Sequence, residues 1–181
     1  DIIVSMMGIM VVRANKRDDD DSADPSPMSA MRKGYAVTLT LAVVEFTFMC
    51  YWFLHAREAP SAWMHYAACG LLGMITSAVF VGSTNYYTDY EYAPVRLIAA
   101  SSVTGHGTNI ITGISVGMKS TAIPTITACI TLVLMYHLGA SSGLGHGRNA
   151  GLMGTAVGTM GMLSSAGFVL ACNNAGPIAD N

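Results

Sequence analysis

Residues 34–54 read GYAVTLTLAVVEFTFMCYWFL, with Glu45 the one charged side chain among them and Tyr51 and Trp52 close to the end. About 20 consecutive, mostly apolar residues are what an α-helix needs to cross the hydrocarbon core of a bilayer, and amphipathic rings gather where such a helix meets water. The stretch therefore predicts a transmembrane helix. The rest of the 181 residues agrees: 52% are hydrophobic and 11% charged, against about 25% charged in an ordinary soluble domain. That balance excludes a soluble globular protein and points to an all-α, polytopic helical membrane protein.

Working outward, residues 1–12 are apolar but too short to span, and are read as the end of a truncated helix. Residues 63–81, opening on Trp63 and followed by Tyr86 and Tyr87, predict another transmembrane helix, as do 108–138, interrupted by Lys119 and Pro124, and 150–175. With 34–54 these make about four complete transmembrane helices plus a truncated one, so 1–181 is expected to be a fragment of a single transmembrane domain within a larger helical bundle. Residues 13–33, with the aspartates Asp18 to Asp21, Pro25 and Pro27, form a charged stretch of the kind that stays in water as a loop. A polar stretch, 88–103, and a Gly/Ser-rich one, 139–149, connect the later spans. Lys and Arg are retained on the cytoplasmic side of a membrane. Arg13, Lys16, Arg17, Arg32 and Lys33 in 13–33 and Arg96 in 88–103 outnumber Arg57 and Arg148 on the other side. Loop 13–33 is thus expected to be cytoplasmic, and alternation brings Asp180 to the same side.

A net charge of -2 with no basic face offers nucleic acid nothing to bind. Cys50, Cys69, Cys129 and Cys172 lie singly in apolar runs, which argues against a disulfide framework or a zinc site. Gly154, Gly158, Gly161 and Ser165 recur at helical spacing, with Val157 away from them. Lipid supplies no hydrophobic drive between helices, so small residues that let backbones approach are what bind helices together. That face is read as a packing seam, and Gly113 and Gly117 are read the same way. Glu45 and Lys119 sit deep in spans, where a charge costs about 2.5–3.5 kcal/mol, so each should face protein or water. Lys119 could equally mark a break in its helix beside Ser120 and Pro124. The run Gly105-His106-Gly107-Thr108-Asn109 lacks the lysine of a phosphate-binding loop and follows no strand, so it makes a poor phosphate cradle.

The most specific run is Gly176-Pro177-Ile178-Ala179-Asp180-Asn181. A proline late in a membrane helix bends it and frees a carbonyl. Asp180 and Asn181 then offer hard oxygens, which suit Mg²⁺ bound through a few carboxylates and a substrate phosphate. On chemistry alone, a plain charge at a helix end accounts for Asp180 equally well.

The runs Tyr86-Tyr87-Thr88-Asp89-Tyr90, Pro94-Val95-Arg96, SSVTGHGTNII at 101–111, GMKSTAIP at 117–124, GTAVGTMGMLS at 154–164 and the final GPIADN closely resemble the membrane-embedded, ion-pumping inorganic pyrophosphatases. Before Tyr86 only the pattern agrees, in Ala23-Asp24-Pro25 and Arg32-Lys33-Gly34. The resemblance implies a homodimeric pump that hydrolyses inorganic pyrophosphate as its Mg²⁺ complex at a cytoplasmic site. It would drive H⁺, or in some members Na⁺, across a vacuolar, acidocalcisomal or Golgi-type membrane. It further implies that Asp180 is a metal and substrate ligand. The family's other acidic motifs are not among these residues, so no catalytic residue is identifiable here and the 181 residues alone are expected to be inactive. The wording of 104–108 is similar to that of potassium-independent members. The residues themselves also allow an ion-coupled secondary transporter, whose broken helices near Pro124 and Pro177 would hold a substrate at mid-membrane.

Overall fold

A computed structural model describes residues 2–11, 27–55, 57, 59–145 and 147–180, and the side chains of all of these except 27–32, 172 and 175–180. Most of the charged loop, 12–26, lies outside the described residues. The described chain is all-α: α1 (Ile2–Val11), α2 (Pro27–Leu54), α3 (Ala62–Thr88), α4 (Ala93–Ser101), α5 (His106–Ser120), α6 (Ala122–Ala140), α7 (Gly147–Leu163) and α8 (Ala166–Asp180), with a 3-10 turn, Ser102–Thr104, between α4 and α5. Four helical stretches are long and apolar enough to cross a membrane: Lys33–Leu54, Ala62–Thr104, His106–Ala140 and Gly147–Ala171.

The helices depart from the apolar runs at recognisable places. α2 opens at Pro27, inside the stretch read as loop, because a proline in the first turn lacks only an N–H that would have no helical partner there. α3 continues past residue 81 to Thr88, since Ser83, Thr84 and Asn85 do not stop a helix; Asp89, in an extended conformation, does. The polar stretch 88–103 is largely helical, with Pro94 in the first turn of α4. Residues 108–138 hold two helices with Thr121 between them. Pro124 falls in the first turn of α6, where in an unbroken helix its ring would strike the carbonyl of Ser120.

α3 is the hub. It packs against α2, α6 and α7, and α6 and α7 pack on each other, while α1 and α8 lie against α2 and the α4–α5 pair sits at the side of α3. The contact is backbone on backbone. A Cβ on Gly73 would strike the Gly158 carbonyl and lie 2.8 Å from the Met162 nitrogen; one on Gly161 would lie 2.7 Å from the Cα of Gly70; one on Gly154 would lie 2.6 Å from the Met135 oxygen and 2.8 Å from the Cα of Gly139. Gly154, Gly158 and Gly161 therefore form the predicted seam, shared between α3 and α6. Gly113 and Gly117 are different: no described atom lies within 4 Å of a Cβ on either, so the seam expected there has no partner among the described residues. Val157 is not an outer position, because it packs on Ala59, Ala62 and Tyr66.

Close approach brings hydroxyls within reach across the helices. Thr76 and Thr131 are 2.9 Å apart between their Oγ1 atoms, the Cys69 thiol donates to the Met135 carbonyl at 3.5 Å, and Ser142 donates to the Tyr66 hydroxyl at 3.2 Å. Each such bond in a membrane bundle is worth on the order of 0.6 kcal/mol.

Gly161→Leu in the full-length protein should therefore force α3 and α7 apart and lower the melting temperature in detergent, by the equivalent of about 1–3 kcal/mol or more. Met160→Leu, at a position 62% exposed, should leave it unchanged. Differential scanning fluorimetry of the two purified variants makes the comparison.

Candidate functional site

The site read from the sequence lies at the end of α8, and what positions α8 is its root. α7 stops at Leu163, where the Ser164 N–H and Oγ both turn back to the Gly161 carbonyl, at 3.2 and 2.7 Å. α8 restarts at Ala166, and the Val169 N–H donates to the Ser165 carbonyl at 3.1 Å. Ser164 and Ser165 are both 1% exposed. Their hydroxyls give a broken helix somewhere to direct its polar groups, which backbone at membrane depth requires.

Three contacts hold the first turn of α8. The Ser165 Oγ lies 3.0 Å from the Ser77 Oγ of α3, which is itself 3.5 Å from the Tyr35 hydroxyl of α2. The Phe168 ring, 3% exposed, sits 6.1 Å from the Tyr35 ring. Gly167 faces the Ser5 side chain of α1, whose Cβ would be 3.2 Å from an added methyl. Farther along, Asn173 and Asn174 are exposed. Asp180 is the last residue of the helix; its side chain, and the whole of Asn181, lie outside the described residues.

The other charged candidates stand apart. Glu45 is partly buried midway along α2. Lys119 is exposed in the last turn of α5, next to the break at Thr121, where a cation complements the free carbonyls of a helix end. Of its two readings, the structure supports the helix break. Arg96 donates through Nε to the Tyr90 carbonyl at 3.3 Å, and the Glu91 N–H donates to the Asp89 carboxylate at 3.1 Å, so both charges help shape the α3–α4 turn.

The run 101–109 also turns inward on itself. Thr108 donates to the Ser101 and Gly105 carbonyls at 3.0 and 2.8 Å, Thr104 to Ser101 at 2.8 Å, and Asn109 to the Ile98 carbonyl at 3.3 Å and to Ser102. Gly105 sits at φ 123° and ψ 170°, a region open essentially to glycine alone. This is a built structural turn.

Among the described residues no group of three or more His, Cys, Asp or Glu side chains is placed to hold a metal ion. The Mg²⁺ expected from the resemblance therefore has no ligand set among them. Gly70, Gly73 and Ser77 recur at helical spacing in the same way and could have been read from the sequence as a second small-residue face, whereas no spacing marks Tyr35 or Gly139.

Long apolar helices joined by glycine contacts define the class, a polytopic helical membrane protein. All of residues 1–181 match the family described as inorganic H⁺ pyrophosphatase, and the chain belongs to that family. The match includes the region before Tyr86. The chain is 45% identical, over all its length, to the pyrophosphate-energized membrane proton pump 3 of Arabidopsis thaliana. It is 41% identical to the K(+)-insensitive pyrophosphate-energized proton pump 2 of Moorella thermoacetica and 40% identical to the K(+)-insensitive pyrophosphate-energized proton pump of Caldanaerobacter subterraneus, each over 99% of the chain. It spans 23%, 25% and 25% of the length of these three relatives.

Gly105→Ala should place a Cβ in a conformation costing about 1–3 kcal/mol. Hydrogen exchange should quicken at the amides of 101–109 in the full-length protein while those of α3 and α7 keep their protection.

Proposed function

We propose that the complete protein is a pyrophosphate-energised ion pump that couples hydrolysis of inorganic pyrophosphate to H⁺ transport across a membrane. The observation that carries this is the match of the whole chain to one family together with the pump function that relatives sharing 40–45% of its residues are named for. In this reading pyrophosphate is taken as its complex with a divalent cation, Mg²⁺, and Asp180 contributes a hard carboxylate oxygen to it. The complete protein is a homodimer in an endomembrane of vacuolar, acidocalcisomal or Golgi type, with residues 13–33 and 88–103 and the end of α8 on the cytoplasmic side and 139–149 on the other.

The chemistry asked of Asp180 follows from charge. Pyrophosphate is strongly anionic, and a carboxylate beside it is tolerable only with a cation between them; replacing the carboxylate by an amide of the same shape removes that attraction. Residues that merely support a metal ligand typically cost 10–100-fold when altered, so Asp180→Asn should reduce hydrolysis and pumping at least ~10-fold. Membrane vesicles carrying the normal or altered full-length chain at matched expression test this through Mg²⁺-dependent phosphate release and acidification. Full hydrolysis by Asp180→Asn removes the assigned role, and no hydrolysis by the normal chain removes the function.

Topology has its own test. In a cysteine-free full-length protein, Ser22→Cys and Ser102→Cys should react with an impermeant thiol reagent from the cytoplasmic side, and Ser142→Cys should not; cytoplasmic labelling of Ser142→Cys contradicts the orientation.

A further inference from the structure

We infer that Ser165 is a positioning residue: through Ser77 and Tyr35 it fixes the root of α8 and so aims the end of that helix, where Asp180 stands. The significance for activity rests on the role proposed for Asp180; the aiming itself does not.

The break between α7 and α8 is the first ground. Backbone hydrogen bonding within a helix would carry the direction of α7 straight into α8. At Ser164 and Ser165 that continuity is interrupted, and the Ser164 hydroxyl is spent locally on Gly161, so helical hydrogen bonding along α7 does not by itself fix where α8 points. Among the residues whose side chains are described, the contacts that can set its direction lie in the first turn. That grip is small: the Ser165–Ser77 pair at 3.0 Å, Phe168 against Tyr35, and Gly167 against Ser5. Beyond it, Leu170 is 61% exposed and Asn173 and Asn174 are exposed.

Leverage is the second ground. Ser165 and Asp180 are separated by 15 positions, and at 1.5 Å per residue the helix between them is roughly 20 Å long. A rotation of about 10° at the root therefore moves the far end by roughly 3–4 Å, more than the length of a hydrogen bond. Of the three contacts, the hydroxyl pair is the directional one, because a hydrogen bond has a preferred angle and length, whereas van der Waals contact has no preferred angle. Ser77 is held in turn by Tyr35, at 3.5 Å, and it lies on the helix that α2, α6 and α7 all pack against. The bond thus ties a lever to the most firmly held element of the bundle. A switch between gripped and released states at such a root is the ordinary anatomy of a hinge.

The test uses the full-length protein in a cysteine-free background. Spin labels at Asn174→Cys on α8 and Met160→Cys on α7, both exposed positions, report the angle across the break by pulsed electron paramagnetic resonance. With Ser165 intact the distance distribution should be single and narrow. Ser165→Ala and Ser77→Ala should each broaden or shift it, and the double variant should do no more than Ser77→Ala alone, which already removes the Ser165 bond along with the one to Tyr35. Ser164→Ala, which loses only a local bond, should leave it unchanged. In unlabelled protein Ser165→Ala should raise the pyrophosphate concentration for half-maximal hydrolysis roughly threefold to tenfold, the range spanned by one net hydrogen bond, at an unchanged melting temperature. An unaltered distance distribution in both Ser165→Ala and Ser77→Ala overturns the inference, as does a melting-temperature loss with no change in distance or half-saturation. If instead the distances respond but Asp180→Asn retains full hydrolysis, the aiming stands and the role of Asp180 falls. Should Ser165→Ala fail to fold, Ser77→Ala and Tyr35→Phe carry the same prediction.

Discussion

The contact on which the rest depends is the approach of the α3 backbone to that of α7, with a hydrogen atom in place of a side chain at Gly73, against the Gly158 carbonyl, and at Gly161, against the Gly70 backbone. In lipid, two apolar helices gain nothing by hiding apolar surface from each other, and what remains is dispersion, which decays within fractions of an ångström, and hydrogen bonding, which fails beyond about 3.5 Å. Both need the helices close. Widening the α3–α7 spacing by one methyl group would take Ser77 away from Ser165, and α8 would lose its directional hold; the Thr76–Thr131 bond depends in the same way on how closely α6 is held to α3. The seam is thus the condition for the polar contacts, and those are the condition for where the end of α8 stands.

The same physics accounts for the face the bundle leaves open. α5 presents Ile111 and Met118, 70% and 72% exposed, and α6 presents Ile126 and Val133. In water this would be an error of design; in a bilayer, or beside further helices, it is the ordinary surface of a membrane helix. Gly113 and Gly117 belong to that face, which is why small residues at helical spacing there meet nothing among the described residues.

What the sequence makes legible follows from how local each signal is. Apolar length is local, so the spanning stretches can be read directly, and Pro124 marks a helix start because its ring acts within one turn. The seam on α7 is legible because Gly154, Gly158 and Gly161 repeat on one face, and Gly70, Gly73 and Ser77 carry the same signal on α3, whereas the lone Gly139 gains its meaning only from the helix opposite. Hydroxyls are harder still. Thr38, Thr47 and Thr76 all bond the carbonyl four residues back, and only Thr76 also reaches another helix. Nothing in the sequence separates that one from the others. The break at 164–165 is hidden for the same reason: two serines in a membrane helix read as packing residues, and the interruption arises from what Ser77 and Gly161 offer them. Asp180 is legible through the resemblance of its motif, a signal of chemistry that needs no geometry.

The central claim, that glycine contact between α3 and α7 sets the distances on which α8 depends, is tested most directly by cross-linking Ser77→Cys to Ser165→Cys in cysteine-free, full-length protein. Mild oxidation followed by mass spectrometry should yield the joined peptide in high proportion. Adding Gly161→Leu, whose side chain would meet the Gly70 backbone of α3, to the same pair should suppress it by spreading the helices. Failure of the pair to join in folded protein, or joining that is indifferent to Gly161→Leu, would contradict the account.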